Sequence, residues 1–195
     1  MPRSLTAQDR SALIRLASSL PAGSTERKAI LAGLSRTASE DVGDFKSNVP
    51  GKHILGNAQV YGDAEVYGDA SVLDKAEVFG NAKVFGDAWV GGRAWVFGRA
   101  MVLGNAKVYD FAHVFGNASV FGHAQVYGDA KVFGRAMVFE DAEVTENAQV
   151  SGDAEIMGDA FIGGDAVIMG GRWDGSEGRI TTGEWLGPDI PARPE

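Results

Sequence analysis

From Gly56 to Met169 apolar and polar positions recur every six residues without a gap, from GNAQVY and GDAEVY through to GDAFIG and GDAVIM. The third position is Ala in all nineteen hexads, and the fifth is Val in sixteen and Ile in three (Ile156, Ile162, Ile168). Along an extended chain, positions three and five point the same way and position four points the opposite way. Position four is mostly polar, so it faces solvent. Val and Ile favour strands. The first position is Gly in fifteen hexads, with Asp74, Asp110, Glu140 and Glu146 the exceptions, and the second is mostly Asn or Asp. Both kinds of residue suit a turn, because both tolerate left-handed backbone angles. A helix carrying Gly at every sixth residue would lose ~1 kcal/mol at each. Each hexad therefore predicts a short strand and a corner, and fixed-period tandem copies predict a solenoid.

The spacing resembles the hexapeptide repeat of left-handed parallel β-helices, in which an aliphatic residue is followed four positions later by a small one. Here Val60 precedes Ala64, Val66 precedes Ala70, and the relation continues along the array. The resemblance covers 114 of 195 residues. It implies a mainly β fold, a left-handed triangular parallel β-helix with three hexads per turn and about six coils. At ~4.8 Å per coil that prism is ~30 Å tall, with a narrow core of stacked Val and Ala. Left-handedness comes from the resemblance and not from the period.

One departure from that family concerns the sixth position, commonly small there but often aromatic here. An 18-residue turn sorts these residues into three corner columns. The first holds Tyr61, Phe79, Phe97, Phe115, Phe133, Ser151 and Met169. The second holds Tyr67, Phe85, Leu103, Phe121, Phe139 and Met157, and the third Leu73, Gly91, Tyr109, Tyr127, Thr145 and Gly163. The rings either stiffen the corners by stacking or form an interface. At ~150–250 Å² per buried aromatic, five rings would offer more contiguous apolar surface than soluble monomers leave open. The expected interface is thus Tyr61, Phe79, Phe97, Phe115 and Phe133 with Tyr67, Phe85, Phe121 and Phe139. A homotrimer is the favoured assembly, since trimers are common among the proteins this chain resembles.

The flanks follow other rules. Leu13, Ile14, Leu16, Ala17 and Leu20 recur at helical spacing, Pro21-Ala22-Gly23 breaks the run, and Ser24 caps a second stretch bearing Ile30, Leu31 and Leu34. Residues 1–51 thus predict an α-helical hairpin and linker, residues 52–175 the solenoid, and 176–195 a C-terminal cap and tail. The leader, LIRLASSLP followed by ERKAILAGL, resembles leaders in phage-associated proteins, which implies docking of a protein partner in a larger, phage-like assembly. Trp173 and Trp185 are expected to cover the last coil, and Arg179-Ile180-Thr181-Thr182 to add a strand.

Charge and composition narrow the function. Lys and Arg outnumber Asp and Glu eight to five in residues 1–55, but trail seven to sixteen in 56–169 and three to five in 170–195. The net charge of −8 argues against nucleic acid as a partner. No cysteine is present, which removes disulfides, thiolate ligands and thiol catalysis. No run of 18 apolar residues predicts a membrane span, and Arg3, Asp9, Arg10 and Arg15 break any signal-peptide core. A cytoplasmic or virion-associated location is the expectation.

Candidate chemistry is sparse. Many proteins with this repeat are acyltransferases, whose sites combine a histidine, a loop inserted between coils and a cofactor groove between subunits. No insertion interrupts the array, and the histidines are His53, His113 and His123. His113 and His123 are the only catalytic candidates, without a readable orienting partner. No three histidines meet to hold zinc, the Asp-rich turns lack a calcium repeat, and no cofactor is expected. Residues 86–101 place Trp89, Arg93, Trp95 and Arg99 on neighbouring sides and corners. Their composition suits a protein hot spot, or a site for a sugar ring, a base or an anion. The leading expectation is a non-catalytic structural or binding solenoid that self-associates through its aromatic columns. The alternative is an acyltransferase with its active site between subunits.

Overall fold

In the computed structural model residues 54–186 are described. The chain divides into two units, Met1–Lys46 and Ser47–Glu195, and the described residues belong to the second. The helical hairpin expected within residues 1–51 lies outside them. Among them are 22 short strands, from Gln59–Val60 to Glu184–Trp185. Each strand up to Val167–Ile168 pairs in parallel with the strand three places further on, which sorts them into three sheets of eight, seven and seven strands. The first face begins at Gln59–Val60, the second at Glu65–Val66 and the third at Ser71–Val72. The register is eighteen residues, as in Val60 opposite Val78 and Val114 opposite Val132.

The hexad explains this wall. Position-five Val and Ile side chains stack on their own kind and position-three Ala fills the space beside them. From Ala70 to Ile168 these residues are almost completely buried. Such an interior is narrow because each corner contributes only a methyl group. The corners turn through left-handed angles at position one. At Gly98 φ is +76°, and a Cβ would lie 3.1 Å from the Gly116 amide nitrogen in the next coil, so both the angle and the closeness of the coils select glycine.

The array runs to a little over seven turns, one more than the hexad count predicts. The repeat is lost at Gly170 but the ladder is not. Arg172–Trp173, Arg179–Ile180 and Glu184–Trp185 each add a strand, one to each face. Trp173 takes the interior place below Ile156, seventeen residues on rather than eighteen. One residue has been dropped, and the indole stands where the repeat places a Val or an Ile. Trp173 is buried, donates from Nε1 to the Gly170 carbonyl at 3.2 Å, and meets Trp185 edge-on at 5.2 Å. Both tryptophans lie within the ladder itself, Trp173 buried and Trp185 exposed. No helix among the described residues is long and apolar enough to cross a membrane.

Candidate functional site

The first corner carries the ring stack that its sequence column predicts. Successive centroids from Tyr61 to Phe133 are 4.8–5.0 Å apart, with planes within 2° of parallel. Ladder spacing sets this distance, since each ring sits one coil above the next. A ring with neighbours on both faces has both faces shielded from solvent. Phe97 and Phe115 are at most 1% exposed and Phe79 is buried. The expectation of a continuous open apolar stripe here is thus corrected: the middle of this column is interior to the chain. In the second corner, Tyr67 stacks on Phe85 and Phe121 on Phe139, each at 4.9 Å, and Leu103 separates the pairs. Phe85, Phe121 and Phe139 are half-buried and Tyr67 is exposed.

The third corner lacks rings at Gly91 and Gly163, and position four supplies the cover. A Cβ on Gly91 would lie 3.0 Å from the Trp89 indole, and one on Gly163 would lie 2.7 Å from the Phe161 ring. Trp89 also meets Tyr109 at 5.8 Å, tilted 45°, and Tyr109 stacks on Tyr127 at 4.9 Å. Burial, with the neighbouring tyrosine next in size, raises the Tyr109 phenol above its ordinary range. Tyr127 is raised first by burial as well, and its hydroxyl donates to Glu143 at 3.2 Å.

These contacts separate the four residues of the tryptophan–arginine segment. Trp89 lies on the third face and Trp95 on the first, so the two indoles belong to different sheets. Trp95 stacks on His113 at 4.8 Å and 11°. Arg93 stands at the corner between them, its guanidinium 5.5 Å from the Phe111 ring, beside a shallow groove lined also by Asn57, Asp74 and Lys75. Arg99 is exposed at the next corner. Both indoles have partners within the chain, and the four side chains do not form one concave site.

The two histidines are also apart. His113 is on the first face between Trp95 and Lys131, whereas His123 is exposed at the second corner. Burial, helped by the Lys131 charge, lowers the His113 pKa to about 4, so the ring is neutral at pH 7. Its Nδ1 is buried without a hydrogen-bond partner. Among the described residues no group of three or more His, Asp or Glu is arranged to hold a metal ion.

Two features escaped the sequence reading. The four acidic residues at position one all adopt left-handed angles, φ 57–63°. Each aims its carboxylate at the amide of the glycine eighteen residues on. Asp74 accepts from Gly92 at 3.1 Å, Asp110 from Gly128 at 3.3 Å, Glu140 from Gly158 at 2.7 Å, and Glu146 from Gly164. The signal was present as an acid followed by Gly at the turn spacing. The other feature is the second face, whose outward column reads Glu65, Lys83, Met101, Ser119, Met137, Glu155 and Arg172. Its centre is apolar and Met101 is exposed, while charged pairs stand at both ends, Lys83 with Glu65 at 3.0 Å and Arg172 with Glu155 at 3.9 Å. Stacking the fourth positions at eighteen-residue intervals, rather than the sixth alone, would have revealed it.

No family model, curated protein or solved structure matches the chain. The fold is a parallel β-solenoid with eighteen-residue turns, consistent with a hexapeptide-repeat β-helix.

Proposed function

We propose that the protein is a non-catalytic structural solenoid that self-associates and presents its walls to partners. The continuity of the wall supports this reading. Main-chain bonds join coil to coil from the Leu55 amide, bonded to Val72, to the Met169 amide, bonded to Trp185. Between them the outward positions carry ladders of stacked rings and ion pairs, the features of a stiff scaffold. Left-handed winding and partner docking through residues 1–51 in a larger, phage-like assembly belong to the same reading. The three-fold assembly expected from the corner columns loses its main motive where Phe79, Phe97 and Phe115 are already buried, so the contact surface is sought on a face instead.

An acyltransferase is the second reading, and His113 favours it, because a general base must be neutral at working pH. Against that role, its Nδ1 is buried and Trp95 lies on its ring. Titration of the purified protein with an acyl-coenzyme A distinguishes the two. The scaffold reading expects no saturable binding. Tight binding that is lost in His113→Ala or His123→Ala would reverse the order.

A further inference from the structure

We infer that the second face is the self-association surface, and that two copies meet there antiparallel, about a two-fold axis along the Ser119 strand. This rests on the self-association reading above and names its surface and geometry. The face holds seven strands with Ser119–Val120 in the middle. Counting outward from Ser119, the flanking pairs are Met101 and Met137, then Lys83 and Glu155, then Glu65 and Arg172. Rotation about an in-plane axis along that strand reverses the order of the coils. It sets Met101 against Met137 of the second copy, Lys83 against Glu155, and Glu65 against Arg172. Every step away from the axis is therefore apolar on apolar or cation on anion. A two-fold axis along the solenoid would instead set Glu65 on Glu65 and Lys83 on Lys83. Self-complementarity of this kind is what an isologous interface requires.

Surface chemistry agrees with that geometry. Interfaces have an apolar centre and a polar rim. Here Met101, 38% exposed, and half-buried Met137 flank a nearly covered serine, with half-buried Leu103, Phe121 and Phe139 along one edge. Ion pairs occupy the two ends. At the other edge the rotation brings Arg99 towards the second copy's Arg135, whose charge its own Asp153 already neutralises at 2.7–2.8 Å. The third face has the reverse layout. Its centre is Lys107, Gln125 and Glu143, its aromatics Trp89 and Phe161 lie further out, and Tyr109 and Tyr127 engage Gln125 and Glu143. The first face has no such symmetry, since Trp95, His113 and Lys131 lie side by side near its middle.

Size is adequate. Six steps of ~4.8 Å and a width of five to six residues at ~3.3 Å give a face of ~500 Å² in projection. Corrugation brings its accessible area towards the ~800 Å² per partner of specific complexes. Rim charges set orientation more than affinity, and the methionine-centred patch supplies the attraction.

The test combines mass measurement in solution with mixed charge variants of the full chain. The wild type is expected at twice 20.5 kDa. Met101→Glu and Met137→Lys are each expected to weaken self-association at least ~10-fold, because a charge is then pressed against the second copy's methionine with no counter-charge across the interface. Both residues lie on the outside of the wall, and an unchanged far-ultraviolet circular dichroism spectrum of each variant verifies that the fold is kept. Mixing Met101→Glu copies with Met137→Lys copies restores the dimer, whereas mixing Met101→Glu with Met101→Lys does not. Restoration by the latter pair alone would overturn the antiparallel geometry. An oligomer insensitive to Met101→Glu would overturn the face and leave the self-association reading standing. A strict monomer at millimolar concentration would overturn both.

Discussion

The first and third corners follow the same backbone path and cover it by different means. The first uses rings of its own, five in a row, and the third leaves gaps at Gly91 and Gly163 that Trp89 and Phe161 close from the neighbouring face. The third corner also alternates glycine with an acid at position one: Gly56, Asp74, Gly92, Asp110, Gly128, Glu146, Gly164. In the first corner every such position from Gly62 to Gly152 is glycine. What stays constant is the cover over the turn and a bond or contact to the coil below. The residue that supplies it is free to change. The hexad therefore constrains the inside of the wall tightly and the outside loosely.

This contrast can be broken most severely at the first corner. Phe115→Ala removes a ring packed between two others, and a loss of ~3–5 kcal/mol in denaturant unfolding is expected. Tyr127→Ala at the third corner, half-buried with a ring on one side only, is expected to cost clearly less. Equal losses would show that stack depth does not matter.

A pH titration compares a ring stacked on a face with those at the corners. His113 has a folded pKa of about 4, below the 6.5 of the unfolded chain. The unfolded state therefore takes up the proton first. Stability from this group is complete above pH ~6.5 and is lost as pH falls towards 4, by on the order of 2–3 kcal/mol. His113→Phe should flatten that part of the profile while keeping a ring against Trp95. An unchanged slope would assign the pH dependence to other groups.

A smaller effect sharpens the equivalence of the two kinds of cover. Trp89→Ala uncovers the Gly91 corner and should cost ~1–2 kcal/mol of melting stability. Gly91 is not in a left-handed conformation, so it accepts a side chain once the indole is gone. The pair Trp89→Ala with Gly91→Phe should recover most of the loss, because the new ring sits one coil above Tyr109. Failure to recover would mean that the two devices are not interchangeable.

The smallest change concerns the acids. Asp110→Gly trades the bond to the Gly128 amide for relief at φ 59° and should alter stability by no more than ~0.5 kcal/mol. Asp110→Ala loses the bond and keeps the angle, and should cost ~1–2 kcal/mol. Melting temperatures of the two variants check this order.

The fold was legible because its cause is periodic. Ala at three and Val at five state the strand and the interior together, the eighteen-residue lap comes from the resemblance to hexapeptide-repeat β-helices, and the ring column from Tyr61 to Phe133 follows from that lap. The seventh turn was hidden because Gly170-Gly171-Arg172-Trp173 drops the alanine and one residue, and only packing shows that an indole can occupy that space. Burial of Phe97 and Phe115 was equally unreadable, since a column names neighbours without saying how much of each ring remains outside. At the candidate sites, the repeat places Trp89, Arg93, Trp95 and Arg99 on neighbouring sides and corners, where they are found. What it does not show is that each indole packs on a ring of the next coil, Trp89 on Tyr109 and Trp95 on His113.

The left-handed acids have a consequence for how such a chain can lengthen. Duplicating six residues would rotate everything downstream by a third of a turn and exchange the faces. Duplicating eighteen keeps the faces and adds one storey, but at the third corner it places acid below acid or glycine below glycine. Only thirty-six residues, two storeys, preserve the alternation of Asp74, Gly92 and Asp110, which makes a pair of coils the natural unit of growth along that edge.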